Sequence, residues 1–239
     1  KNFFSFKKSN LLKIRNFMFK AIVIGGTGAT GHQLIKELVK NNNCERVTSI
    51  GRRPVLNGDK HDKLSDIVID SLSDLSSTSK YWENNDFFFN CIGTTRKRAG
   101  GAKQFVDIEL GISKEAAKMA SKSKVPYAAL VSADGANHKK WATHWIHPLL
   151  YIKTMGQKEQ TIVSDYSFDY VAVFKPGMLI RLQDTGKWFD NILKKTGVGL
   201  EVDILASAMI NVLEKASSSN IDKPCQYFIG NDKIKKSLD

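Results

Sequence analysis

An α/β fold, doubly wound around a mainly parallel sheet, follows from three features of the chain. Short apolar runs alternate along it with amphipathic stretches at helical spacing. The first apolar run, Ala21 to Ile24, passes directly into a glycine-dense turn, GGTGATG, and then into a helix with Leu34, Ile35, Leu38 and Val39 on one face. The 239 residues, 42% of them hydrophobic, suit one α/β domain with a sizeable core and are too few for two full ones.

Taken in order, the elements bear this out. Arg46 to Ile50 (RVTSI) predict a second strand, Asp66 to Asp70 (DIVID) a third and Asp86 to Ile92 (DFFFNCI) a fourth. Ser71 to Lys80 is polar and reads as a short helix with loops. Ile112 to Met119 is an amphipathic helix, followed by a fifth strand at Pro126 to Ser132 and a sixth at Asp169 to Phe174. Val202 to Leu213 predict a further helix and Gln226 to Ile229 a last short strand. Residues 18–239 are expected to form the single domain, with a small substrate-side lobe in the C-terminal third. Residues 1–17 stand apart as a basic extension, and Met18 reads as a natural start.

The turn after the first strand has the chemistry of a dinucleotide cradle. Gly25 permits the tight turn, Gly28 lets backbone approach a pyrophosphate, and Gly31 lets the helix pack closely on the sheet. Thr27, Ala29 and Thr30 lie between them, where free helix N–H groups meet phosphate. A site for NAD usually carries a carboxylate about twenty residues beyond the glycines to bind the ribose 2′-hydroxyl. Here Arg52 and Arg53 follow the second strand instead. Guanidinium groups clamp phosphate in bidentate fashion, so the pair points to NADP(H), one arginine on the 2′-phosphate and the other on adenine.

Composition narrows the remaining classes. Cys44, Cys91 and Cys225 are odd in number and show no paired spacing, which supports neither a disulfide framework nor a zinc knuckle. No apolar stretch approaches the roughly twenty residues of a membrane span, although surface association stays open. The net charge of +12 is spread over Arg96-Lys97-Arg98, Lys139-Lys140 and Lys233 to Lys236, without interleaved aromatics, which argues against nucleic acid as the partner. Lys1 to Phe17 hold lysines, serines and an arginine but no acid, the composition of a mitochondrial targeting segment and equally of a docking arm. A mitochondrial location is expected, with a cytoplasmic one as the alternative.

GGTGATG, IGRRP, CIGTTRKRAG, LVSADGAN, YIKTMGQKE and VFKPGML occur in this order, from about Phe19 to about Gly230. In these motifs the chain resembles the Tat-interacting-protein-like oxidoreductases, atypical short-chain dehydrogenase/reductases. The resemblance implies a Rossmann-like fold binding NADPH, with Asp70 by the adenine. It also implies Cys91, Ile92, Gly93 and Thr94 beneath the riboses, and a cofactor contact at Pro176.

The family's catalytic group is a serine after the fifth strand, a tyrosine, and a lysine four residues on. Tyr151 is in place, but Ala133 stands at the second serine position, beside a retained Ser132, and Met155 stands at the lysine position. A tyrosine of ordinary pKa, about 10, is a poor base unless a nearby cation lowers it. Lys153 lies on another face of the helix from Tyr151, and Lys158 shares the face but lies about 10 Å further along the axis. A helix N-terminus opened by Pro148 contributes only about 0.3–1 kcal/mol.

The connection from Asn137 to Leu150 is longer than the family's and carries Trp141, Trp145, His138, His144 and His147. It could cap a pocket, bind a partner or pack down as a lid; the two histidines His144 and His147 lack a third ligand for a metal. Arg96 reaches an anion in the cleft or only solvates its loop.

These features imply an NADPH-binding protein with a degraded catalytic set, acting as a subunit or regulator through its N-terminal arm and tryptophan loop, a role like that of the accessory subunit of respiratory complex I. The alternative is an active reductase of a small carbonyl or quinone through Tyr151. Charge-assisted contacts contribute about 1.5–3 kcal/mol each, so the arginines should favour NADPH over NADH by about tenfold or more. Arg52→Ala with Arg53→Ala should erase that preference in a titration with both nucleotides; a preference that survives would place the arginines in solvent.

Overall fold

The computed structural model describes residues 17–143, 145–181, 199–219 and 223–239; the basic extension, apart from Phe17, lies outside the described residues. The strands are β1 (Phe19–Ile24), β2 (Cys44–Gly51), β3 (Leu64–Val68), β4 (Phe87–Asn90), β5 (Tyr127–Val131), β6 (Tyr170–Lys175), β7 (Leu179–Ile180), β8 (Leu200–Glu201) and β9 (Cys225–Ile229). Seven of them form one parallel sheet in the order β3-β2-β1-β4-β5-β6-β9. The remaining pair, β7 with β8, makes a short separate parallel ladder.

The central strands are apolar along their length because helices cover both faces of the sheet. β4 and β6 are buried throughout. Phe19 and Phe87 stack across β1 and β4 with ring centroids 4.4 Å apart. The helices are α1 (Ala29–Lys40), α2 (Arg96–Ala99), α3 (Ala102–Val106), α4 (Ser113–Lys122), α5 (His147–Gln160), α6 (Val202–Ser218) and α7 (Asn231–Lys236). On one face Leu34 and Leu38 of α1 and Leu205, Met209 and Leu213 of α6 pack on Val23, Phe89, Ala129 and Ala172. On the other, Ala116 and Ala120 of α4 and the indole of Trp82 cover Ile22, Phe88, Leu130 and Val173.

Three stretches add detail to the sequence reading. The helix expected from Ile112 begins at Ala102, and a π-helical turn at Asp107–Ile112 joins α3 to α4. Phe105 and Glu109, four residues apart, share the buried face that runs on through Ser113, Ala116 and Ala120. Ser71 to Lys80 yields only a 3₁₀ stretch at Ser76–Tyr81. α6 lies beside α1 in the main helical layer, and β9 extends the main sheet, so much of the described C-terminal third builds the body of the fold.

Glycines in this framework differ sharply in what surrounds them. A Cβ on Gly31 would fall onto the Gly25 carbonyl and within 2.9 Å of Gly26 Cα, both backbone atoms that cannot swing away. A Cβ on Gly111, within the π turn, would meet nothing within 4 Å. Gly31→Ala should therefore destabilise the protein by about 1–3 kcal/mol or more, as overpacking does. Gly111→Ala should raise stability by about 0.5–1 kcal/mol, because glycine is a weak helix former. Chemical denaturation of the two variants beside the natural chain checks both signs.

Candidate functional site

In a sheet of this order the connections reverse direction between β1 and β4, and ligands bind in the crevice beyond the carboxyl ends of those strands. The backbone confirms how tightly the two ends meet. Gly25 adopts φ +82°, and a Cβ there would lie 2.5 Å from the carbonyl carbon of Cys91. The Cys91 N–H donates to the Ile24 carbonyl at 2.9 Å, so the turn after β1 rests on the segment leaving β4.

Gly28 is different in kind. Its Cβ would meet the Gly25 carbonyl at 3.2 Å and the Cys91 carbonyl at 3.8 Å, a tight fit but much less crowded than at Gly25 or Gly31. Gly28 is also the N-cap of α1, where no side chain caps the helix and no acid occupies the first turn. Backbone N–H groups at such an end attract an anion.

Two adjoining cavities open from this point. The larger, about 310 Å³, is lined by Gly25, Thr27 and Gly28 on one side and by Arg52 and Arg53 on the other. Ser49 Oγ, fully buried beside them at the end of β2, has no hydrogen-bond partner in the protein, which suits a polar ligand seated there. The smaller cavity, about 170 Å³, is lined by Ala29, Thr30, Ser132, Tyr151, Met155 and Arg181. Gly28, Cys91, Ile92, Gly93, Thr94 and Arg98 border both. This chain of surfaces fits an extended dinucleotide, with phosphate donors at its middle and guanidinium groups at one end.

The cavities do not gather every candidate. Gly31 lies beneath the turn and serves packing. Asp70, two residues beyond β3, is exposed and lines neither cavity. Pro176 is buried, and its carbonyl accepts the Asp134 N–H at 3.0 Å. Within the Arg96-Lys97-Arg98 cluster it is the exposed Arg98 that borders both cavities. A charge run alone cannot say which of its members faces a cleft. A larger hollow of about 550 Å³ near the start of β6 and β9, bordered by Tyr170, Lys215 and Gln226, collects none of these residues.

The chemistry at the smaller cavity is set by what its polar groups already hold. Ser132 is buried, and its hydroxyl donates to Glu159 Oε1 at 2.5 Å. Lys175 Nζ lies 3.1 Å from the same carboxylate. With its proton engaged, the hydroxyl has only lone pairs to offer a ligand, whereas polarising a carbonyl oxygen needs a donor. Tyr151 Oη is held protonated: burial, and then the nearby Glu109 carboxylate, push its pKa up to about 12, with Arg181 pulling the other way. Its ring packs at 5.9 Å from that of Phe105. Met155 is buried one helical turn on. Lys158 is buried too, and its Nζ is paired with Glu109 Oε2 at 3.2 Å. The Cys91 thiol is pushed up to about 12 by burial, which removes it as a nucleophile.

The long connection after β5 does not close over the cleft. The indoles of Trp141 and Trp145 are 67% and 90% exposed and line neither cavity, so the lid reading gives way to an outward-facing loop. Its base is fixed where the backbone at Asn137 and His138 crosses α5 against Gly156, which leaves no room for a Cβ. His144 and the side chain of His147 lie outside the described residues.

No family model matches the sequence. Among curated proteins, the chain is 33% identical over 181 residues to protein FMP52, mitochondrial, of Debaryomyces hansenii, an alignment covering 74% of each chain. It is 27% identical over 230 residues to protein HTATIP2 of Rattus norvegicus, covering 90% of this chain and 91% of the other. Among solved structures, the oxidoreductase ylbE from Lactococcus lactis superposes with a TM-score of 0.64 at 18% identity, covering 92% and 94% of the two chains. The Bordetella bronchiseptica enzyme WbmG, solved in complex with NAD, gives 0.65 at 16% identity, covering 94% of this chain and 77% of that one.

The protonated Tyr151 has a measurable consequence. Its folded pKa is raised from about 10 to about 12, so the stability associated with keeping it neutral is fully present below about pH 10 and is lost as the pH rises through about 12. Tyr151→Phe should make stability fall less steeply between about pH 10 and 12 than in the natural chain, as read from denaturation midpoints on either side of that window.

Proposed function

The chain belongs to the family of the FMP52 proteins and HTATIP2, Tat-interacting-protein-like members of the short-chain dehydrogenase/reductase group, and on that premise we propose that it binds NADP(H) as a chemically silent, cofactor-stabilised subunit or regulator of a mitochondrial assembly. The observation that carries this reading is the buried Met155, one turn on from the half-buried Tyr151, at the position where the family has lysine. The glycine turn with Thr27, Ala29 and Thr30 receives the pyrophosphate, Arg52 and Arg53 take the 2′-phosphate, and Cys91, Ile92, Gly93 and Thr94 pass beneath the riboses. A neighbour of the same fold was solved with NAD, which supports a nicotinamide dinucleotide here, and the two arginines direct the choice to the phosphorylated form. The bound group would supply a hydride at its nicotinamide ring.

The mitochondrial location rests on the relatives that carry it in their names. Partner recognition falls to the N-terminal segment and to the loop bearing Trp141 and Trp145, since large aromatic side chains standing in solvent are the type that anchors interfaces. Among the described residues no helix is long and apolar enough to cross a membrane.

A second reading draws on Arg181. It borders the same cavity as Tyr151 and its charge lowers the phenol's pKa, so it offers the cation that Met155 does not. On that reading the protein is an active NADPH-dependent oxidoreductase, and Tyr151 donates a proton to a small carbonyl or quinone.

The two readings separate in one set of measurements. Mass spectrometry of the purified protein should find bound NADP(H); a site that is empty in every preparation and does not fill on titration sinks both. NADPH consumption over a panel of aldehydes, ketones and quinones should stay at background in the natural chain and appear in Met155→Lys. Turnover in the natural chain that collapses in Tyr151→Phe would instead establish the reductase.

A further inference from the structure

Two consecutive residues of α5, Lys158 and Glu159, each enter a buried ion pair, and each reaches a different part of the wall around the smaller cavity. Lys158 Nζ donates to the Ile92 carbonyl at 2.6 Å and to Glu109 Oε2 at 3.2 Å. The other oxygen of Glu109 accepts the Thr94 N–H at 2.6 Å. Glu159 accepts the Ser132 hydroxyl and pairs with Lys175, which also donates to the Ala136 carbonyl at 3.1 Å. The segments leaving β4, β5 and β6 are thus all tied to one helix.

The location of these charges is selective. Lys158 and Glu109 side chains are 1% and 3% exposed, and a buried ion pair is a weak source of stability because desolvation offsets most of the attraction. What such a pair supplies is geometry: a charge with no alternative partner fixes whatever backbone it binds. The backbone here is Ile92 to Thr94, which borders both cavities, while Glu109 itself borders only the smaller one. Glu109 faces inward because it lies four residues on from Phe105, on the helical face the two share, and it sits within a π turn, a feature that recurs at functional sites.

We propose that the Lys158–Glu109 pair is the positioning element for the nicotinamide half of the cofactor site. It sets the Ile92–Thr94 backbone to receive the nicotinamide ribose, where Met155 can make no charged contact. The adenosine half, built by Arg52, Arg53 and the glycine turn, does not depend on it. This inference rests on the NADP(H) reading above and adds which residues order that end of the site.

The test compares two probes, NADPH and 2′,5′-ADP, the second occupying the adenosine half alone. Lys158→Met combined with Glu109→Gln removes both charges together, so no buried charge is left unpaired, and retains an acceptor for the Thr94 N–H. In titration calorimetry the double variant should bind NADPH about tenfold or more weakly, a change of about 1.4 kcal/mol, and bind 2′,5′-ADP within about twofold of the natural chain. Equal affinities for NADPH, or parallel losses for both probes, would overturn the proposal. Hydrogen exchange on the natural chain without ligand gives a check that needs no variant. The Thr94 amide should be protected, and exchange at the rate of an open loop would also overturn it. A natural chain that binds neither probe would refute the NADP(H) reading itself.

Discussion

The turn after β1 and the backbone leaving β4 touch so closely that no side chain fits between them. Gly25 sits against Cys91 in a left-handed conformation, and Gly31 sits against Gly25, so the start of α1, the end of β1 and the end of β4 are held in one fixed arrangement. Everything around the cleft refers to that point. The free amino end of α1 is aimed into the crevice, the Cys91–Thr94 segment forms its floor, and the end of β2 carries Ser49 and the two arginines to its rim. Gly28 is the least crowded glycine of the motif and borders both cavities, where a ligand would need it kept bare.

Helix α5 is the second organising element, and its residues perform opposite tasks. Tyr151 and Met155 face the smaller cavity, whereas Lys158 and Glu159 turn into the protein and bind the loops that shape it. The lysine that short-chain dehydrogenases place beside tyrosine is absent from that spot, yet two buried lysines lie nearby, each neutralised by a carboxylate. A charge already paired in a low-dielectric interior has little left to lend to a neighbouring phenol, and Glu109 works against ionisation of Tyr151.

On the proposed reading, binding and chemistry have come apart within one site. The family framework keeps the turn, the floor and the phosphate-facing arginines, while Tyr151 stands without the neighbouring lysine and the Ser132 hydroxyl is committed to Glu159. Such a site retains a use for its cofactor, since a ligand that binds only the folded state raises stability by mass action. The outward-facing tryptophans then present the folded, loaded protein to a partner.

The sequence by itself determined the sheet, the glycine turn and the arginines at the cleft, because these depend on local patterns: apolar runs of strand length, helical periodicity, and glycines where backbone must approach backbone. Through the family resemblance it adds that Met155 and Ala133 stand where a lysine and a second serine are expected. It placed Asp70 by the adenine and singled out Arg96, where the cleft instead collects Ser49 and Arg98. Only the tertiary structure decided the partners of buried charges. Glu109 is separated from Lys158 by 49 positions, and Ser132 from Glu159 by 27, and nothing local in either segment specifies the match. Helical spacing puts Glu109 on the face that Phe105 begins, but it does not say that Lys158 meets the carboxylate there or that Tyr151 lies close enough to feel it.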